Sequence, residues 1–385
     1  MKRAIQLGAG NIGRGFLGQL FYQSGYETVF VEIRDEIVKL LTKRGEYKLE
    51  LIGERSKILT ISNVRAVDVR DTEQVVQEFI DADIGATAVG NSALPAIAPL
   101  IAKGMDARRN RGIEKPLNII ICENLLNASD ILRNYVLSHT GSASKDYIIK
   151  KLGLVESVVS RMVPVLSEET TRKDPLYIKA EEYAILPVDK LAFKGGIPEI
   201  VGMIPRENIK AYERQKLYTH NAGHAIAAYL GYLKGHNYIW ESMEDREVQS
   251  IVRGALEETG KALIEQEKFS EEEHWGHVQD LLKRFSNKEL GDTVFRVARD
   301  PLRKLAPTER LVGSAKLAMR YNFEPVNVCK GIASALKYNW HEDREAQQLQ
   351  TYLKERGADW VLKNICRLDI DGKIAKLIKG FFDSS

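Results

Sequence analysis

Cysteine is scarce. Cys122, Cys329 and Cys366 are the only three in 385 residues, and no two form a Cys-x-x-Cys pair. An odd, widely spaced set argues against a disulfide framework and against a zinc site built on cysteine, so a reducing, cytoplasmic setting and no metal are expected. Long apolar runs are also missing. None approaches the ~20 residues that span a bilayer, and no membrane partner is expected. Lys2 and Arg3 imitate the start of a secretory signal, but Gly8, Gly10, Asn11 and Gly13 interrupt the apolar stretch at once, which is the pattern of a turn. Excess charge of one sign is absent too. A formal net charge of +3 lacks the basic surplus of a nucleic-acid reader, which excludes that class of partner. There is no repeat at a solenoid period and no low-complexity segment.

What is present is ordinary globular composition, 44% hydrophobic and 28% charged, over a length that suits two domains. Through about residue 195, short β-rich runs alternate with helix-like stretches. The pattern predicts strands over 4–7, 28–32, 86–89, 117–122, 157–165 and 176–181, and allows an extra hairpin over 47–62. Alternation of this kind points to an α/β fold, a Rossmann-type doubly wound, mostly parallel sheet. Lys194-Gly195-Gly196-Ile197-Pro198 reads as a joint. Beyond it the periodicity is helical, with helices expected over 206–233, 244–267, 274–285, 309–322, 326–337 and 342–357. Pro301, Pro307 and Pro325 fall between these segments, where proline breaks or starts helices. The expected division is therefore a dinucleotide-binding domain over 1–195 and a mainly α-helical second domain over 196–385.

Gly8-Ala9-Gly10-Asn11-Ile12-Gly13 places Gly-x-Gly-x-x-Gly between an apolar strand and a helix-like run. Gly8 permits the tight turn, Gly10 lets backbone approach a pyrophosphate, and Gly13 lets helix and strand pack closely. The second expected strand ends in Glu32, about 20 residues on, where a carboxylate accepts hydrogen bonds from ribose hydroxyls and repels a 2′-phosphate. NAD is the expected cofactor, although Arg34 could accommodate that phosphate. Asn91, Glu123 and Asn124 follow later strands of the same sheet and are candidates for the nicotinamide side of the site. The alternative is that the two asparagines cap the helices that follow.

Early in the helical half, Lys216, Asn221 and His224 fall within about 140° of a regular helix circumference. Oxidising an alcohol needs a base for the hydroxyl proton and donors for the oxygen that becomes a carbonyl. Lys216, lowered in pKa by burial, is the candidate base, with Asn221 and His224 in support; a solvated lysine beside half-buried histidines is the alternative. His220 and His224 have the spacing of a zinc helix, but Asn221 stands where that motif needs glutamate. Tyr212 with Lys216, and Tyr147 with Lys151, match the Tyr-x-x-x-Lys spacing of short-chain dehydrogenases, a match that chance supplies in a chain with 15 tyrosines.

Taken together, the opening glycine stretch through Phe16, the segment Ala98-Pro99-Leu100-Ile101-Ala102-Lys103-Gly104, Cys122-Glu123-Asn124, Lys216-x4-Asn221-x2-His224 and Pro301-Leu302-Arg303-Lys304-Leu305 resemble the polyol-specific long-chain dehydrogenases. The resemblance covers nearly the whole chain, and the opening stretch is similar to the branch acting on phosphorylated substrates. It implies a base role for Lys216, NAD, no zinc, and interconversion of D-mannitol 1-phosphate and D-fructose 6-phosphate. The expected partner is then a small sugar or polyol phosphate, bound by a monomer or weak homo-oligomer. Arg303, Lys304 and Arg310 are the candidates for gripping the phosphate; an exposed basic turn is the alternative. Ser160-Arg161 departs from the Asp-Arg common in that family and leaves Arg161 without that carboxylate. Action on unphosphorylated mannitol or a hexuronate stays open, as do a 6-phosphogluconate-type β-hydroxyacid dehydrogenase and a non-catalytic NAD(H)-sensing module.

Overall fold

In chain order the strands are β1 (Lys2–Leu7), β2 (Tyr26–Glu32), β3 (Glu46–Ile52), β4 (Lys57–Ser62), β5 (Val64–Asp68), β6 (Ile84–Thr87), β7 (Leu117–Ile121), β8 (Leu152–Glu156), β9 (Ile178–Glu181), β10 (Leu186–Asp189) and β11 (Met203–Arg206). The computed structural model describes residues 1–53, 56–125 and 127–384. It falls into two units, Met1–Tyr212 and Glu213–Ser385.

The first unit is organised by a six-stranded sheet in the order β5-β2-β1-β6-β7-β8, with every neighbouring pair parallel. Ala4, Ile5 and Leu7 of β1 are almost fully buried, as in a central strand covered on both faces. Counted along the chain within this sheet, the order is the 3-2-1-4-5-6 of dinucleotide-binding folds. The order reverses between β1 and β6, where a crevice opens at the carboxyl ends. A smaller sheet pairs β3 antiparallel with β4 and parallel with β9. β3 and β4 form the hairpin allowed over 47–62, whose positions 54 and 55 lie outside the described residues.

One expected strand is absent and one unexpected strand is present. The strand predicted over 157–165 is absent: the ladder uses the shorter, fully buried run β8, and beyond it Ser157 makes a single bridge to Val188. Arg161 and Pro164 in that stretch suit a loop better than a buried ladder. β5 escapes the apolar pattern because Arg65 and Asp68 interrupt it. Val64, Ala66 and Val67 are buried all the same, while Arg65 reaches out to Glu27 and Glu78. The first unit also runs past the joint expected at 195–196, because β11 pairs in parallel with β10.

The second unit is helical. Asn221–Leu233, Arg246–Glu267, Glu271–Phe285, Val312–Arg320 and Val326–Leu336 fall on the predicted segments; Arg344–Asn364 runs past the predicted 342–357 and is broken at Gly357, whose φ is +81°, and Lys373–Asp383 adds a helix. Asp245 starts the longest of them by accepting the N–H groups of Glu247 and Val248 at 2.9 and 3.1 Å. The single helix expected over 206–233 is divided: Ile209–Gln215 leads into a π-helical turn, Lys216–His220, before Asn221–Leu233. Among the described residues no helix is long and apolar enough to cross a membrane.

Candidate functional site

β1 ends at Leu7, and Gly8 turns the chain with φ +92°. A Cβ there would lie 2.4 Å from the Ala88 carbonyl oxygen, and one at Gly13 would lie 2.1 Å from the Gly8 carbonyl oxygen. Strand end and helix start therefore meet backbone to backbone, which only glycine permits. Gly10 differs, since a Cβ there would meet no protein atom within 4 Å. Packing does not require glycine at that position. The open space above it fits a ligand lying against the backbone. Asn11 and Ile12 begin the helix, whose first N–H groups have no partner within it.

Charged side chains fasten this turn. The Ala9 N–H donates to Glu32 Oε2 at 3.0 Å, and the Ala9 carbonyl accepts Arg14 Nε at 2.7 Å and Arg34 Nη2 at 3.2 Å. Glu32 Oε1 accepts the N–H groups of Ile33 and Arg34 at 2.9 and 3.1 Å. Burial alone would raise the Glu32 carboxyl, but the Arg34 guanidinium and the backbone donors outweigh it and hold it below the ordinary value. Glu32 is thus engaged with its own loop. Arg14 is buried, and burial pushes its guanidinium down to about 10.

At the ends of β6 and β7 the two candidate strand tails are tied together. Glu123 accepts Val89 N–H and Gly90 N–H, each at 2.9 Å, and burial raises its carboxyl despite these donors. Asn91 Nδ2 donates to the Asn124 carbonyl at 2.9 Å. Neither asparagine caps a helix through its side chain. Both are exposed at the carboxyl edge of the sheet.

In the second unit, the N–H of Asn221 bonds to the carbonyl of Lys216, a span of five residues. A regular helix would set these residues about 140° apart; the wider turn stacks them one above the other. His224 follows three positions later on regular helix and shares the face. Such π turns recur at functional sites. Lys216 is half-buried on this face.

Asn221 and His224 form one wall of a cavity of about 160 Å³ whose other walls include Arg296, Arg299, Asp300, Arg303, Lys304 and Arg310. The structure therefore brings the three candidate phosphate residues to two of the three candidate catalytic residues. Among the described residues, five basic side chains and one carboxylate line it. Lys304 is only 5% exposed; burial, then Arg303 and Arg310, push its ammonium down to about 7. Burial also lowers Arg310, against the opposing pull of Glu309. Crowded, desolvated cations of this kind favour an anion among them.

The cavity is held from behind. Asp300 adopts φ +63°, which aspartate tolerates better than most residues, and its N–H donates to Asp343 Oδ2 at 2.9 Å. The Arg303 N–H donates to Glu345 Oε2 at 3.0 Å. The His224 ring stacks on Phe285 with centroids 4.9 Å apart, and its Nε2 stands 2.9 Å from Asp292 Oδ2. Arg296 Nε donates to Asp292 Oδ1 at 2.6 Å. Sequence reasoning misses Asp292, Arg296, Arg299 and Asp300; the four-residue spacing of Asp292 and Arg296 on a helix start was the available signal. His220 is buried, with its ring 5.6 Å from that of Phe285, and burial holds its pKa well below the ordinary histidine value. Arg161 has other partners in place of the family's aspartate. It donates to the Glu181 carbonyl and to Gln19 Oε1, both at 2.8 Å, and lies over the Phe16 ring.

A glycine turn at the reversal point of a 3-2-1-4-5-6 parallel sheet defines the first unit as a Rossmann-type domain, here followed by a helical unit with a basic cavity. The chain belongs to the mannitol dehydrogenase family: the profile of that family's Rossmann domain matches residues 2–202, and that of its C-terminal domain matches residues 208–363. It is an oxidoreductase of that family. The fold is similar to that of a D-sorbitol dehydrogenase in substrate-free form, at TM-score 0.81 and 18% identity over 99% of this chain and 91% of that one. It is also similar to Pseudomonas fluorescens mannitol 2-dehydrogenase, solved as a ternary complex with NAD and D-mannitol. That match has TM-score 0.73 and 16% identity over 99% of this chain and 90% of that one.

Proposed function

We propose that the protein is a mannitol-1-phosphate 5-dehydrogenase, interconverting D-mannitol 1-phosphate and D-fructose 6-phosphate with NAD. The observation that carries the phosphate is the cavity in which Arg303, Lys304 and Arg310 stand with Asn221 and His224. Asp300 and Glu309 already pair with Arg303 and Arg310, yet the cations outnumber these carboxylates, and a phosphate dianion answers that excess where a neutral polyol does not. NAD is supported by the family, by the open cradle over Gly10, and by Arg34, whose guanidinium is already paired with Glu32 at 3.0 Å rather than free for a 2′-phosphate.

Gly8, Ala9, Gly10, Asn11, Ile12 and Gly13 hold the pyrophosphate, Glu32 stands on the ribose side, and Asn91, Glu123 and Asn124 border the nicotinamide. Bound NAD supplies the hydride acceptor. Lys216 takes the proton of the substrate hydroxyl, and as an ammonium returns it in the reducing direction. The Asn221 amide orients the reacting oxygen.

A hexuronate is the second reading, because its carboxylate would also meet the arginines. NADH oxidation measured with fructose 6-phosphate, fructose and fructuronate, and NAD reduction measured with 6-phosphogluconate, separate these. Fructose 6-phosphate is expected to have the highest kcat/KM. A preference for fructose or fructuronate overturns the assignment.

A further inference from the structure

Asp292 is a buried carboxylate behind the cavity wall. It lies just before helix Val294–Ala298 and is anchored by its own carbonyl, which accepts the Ile239 N–H at 2.9 Å. Its Oδ1 is engaged by Arg296. Its Oδ2 is shut off from solvent and receives no well-formed hydrogen bond, and the group that approaches it is His224 Nε2, at 2.9 Å. Burial opposes ionisation of Asp292, but the approach of His224 Nε2 as a proton donor and the charge of Arg296 outweigh it and keep the carboxyl below its ordinary value. An ionised oxygen withdrawn from water requires a proton donor, so the proton of a neutral His224 belongs on Nε2. The ring face lies against Phe285 at an interplanar angle of 10°, a packing that opposes a flip carrying Nε2 away from Asp292.

Building on the reading of this cavity as the substrate pocket, we infer that Asp292 is a positioning residue that fixes His224 as the Nε2–H tautomer, making its Nδ1 an acceptor for a substrate hydroxyl. A neutral imidazole offers one donor and one acceptor. With the donor facing Asp292, His224 can receive an O–H from the substrate but has nothing to give a carbonyl oxygen. It therefore reads a hydroxyl that stays a hydroxyl through the reaction. The oxygen that becomes a carbonyl is left to Asn221 and Lys216.

The test uses the full chain labelled with 15N-histidine, with His224 assigned from its absence in His224→Gln. At pH 7.5 the wild type should show the Nε2–H tautomer, and Asp292→Asn should shift it toward a mixture. Asp292→Asn should lower kcat/KM for fructose 6-phosphate by up to about 100-fold, the scale of a misplaced group, with NADH affinity unchanged. In a His224→Gln background the same change should cost under about threefold, since the two act as one unit. An Nδ1–H tautomer or an imidazolium in the wild type overturns the inference, as does an equal loss in both backgrounds. The wild-type spectrum needs neither turnover nor a folded Asp292 variant. Failure to reduce fructose 6-phosphate would therefore sink the substrate assignment and leave the tautomer result standing.

Discussion

At the end of β1 the open space borders backbone, and side chains serve to fasten that backbone. Glu32, Arg14 and Arg34 grip the Ala9 peptide, and the space above Gly10 is left open. In the second unit the arrangement is inverted. There the side chains face the cavity, and the backbone behind them is tied down by Asp343 and Glu345. A backbone site must be compact in sequence, because consecutive amides build it, whereas a side-chain site can gather positions 221 to 310. The first tolerates no added atom where strand meets helix. The second depends on charge and is open to titration.

Removing Lys216, the proposed base, should damage the second region most and leave the first intact. Lys216→Ala is expected to lower kcat by about 10³-fold at every pH, within the range for general acid–base catalysis, with NADH affinity unchanged. Wild-type turnover at any pH would refute the assignment. Next comes the glycine turn, where two alanines should behave differently. Gly13→Ala drives a Cβ into the Gly8 carbonyl and should cost about 2 kcal/mol or more of stability. Gly10→Ala should leave the thermal midpoint unchanged yet weaken NAD binding about tenfold, or ~1.4 kcal/mol. If both alanines act alike, the distinction between packing and ligand space fails.

Lys304 gives a smaller, pH-dependent effect. Its folded-state pKa of about 7 lies below the unfolded value, so the unfolded chain binds more protons and stability rises with pH above about 7. Lys304→Met should therefore stabilise the unliganded protein most at pH 6, and the gain should shrink as pH rises toward 10. It should also abolish stabilisation by inorganic phosphate. The smallest effect belongs to two histidines of helix Glu271–Phe285, the buried His274 and the half-buried His277. His274 and His277 are held down to about 4 by burial, so stability should fall between about pH 6.5 and 4 as the unfolded chain gains protons first. His277→Leu should flatten that slope in acid denaturation curves.

The same contrast decides what the sequence reveals. The parallel sheet and the glycine turn are legible because apolar runs and closely spaced glycines leave local patterns. β5 is hidden by Arg65, whose charge is satisfied across the sheet edge by Glu27 and Glu78, contacts that no local pattern reports. Lys216, Asn221 and His224 are legible as residue types. Their alignment is not, since a regular turn spreads Lys216 and Asn221 apart and only the π turn restores them to one face. Arg303, Lys304 and Arg310 can be nominated from charge. Asp292 and Arg299 gain meaning only when the loop after Leu290 folds back beside His224.

The most direct test of the account is whether the side-chain cavity alone reads the phosphate. In the double variant Lys304→Met/Arg310→Met, the ratio of kcat/KM for fructose 6-phosphate to that for fructose should fall by at least about 100-fold, the loss expected when a site loses its charged partners. NADH affinity should stay at the wild-type value. An unchanged ratio, or equal loss on both sugars, would contradict the claim.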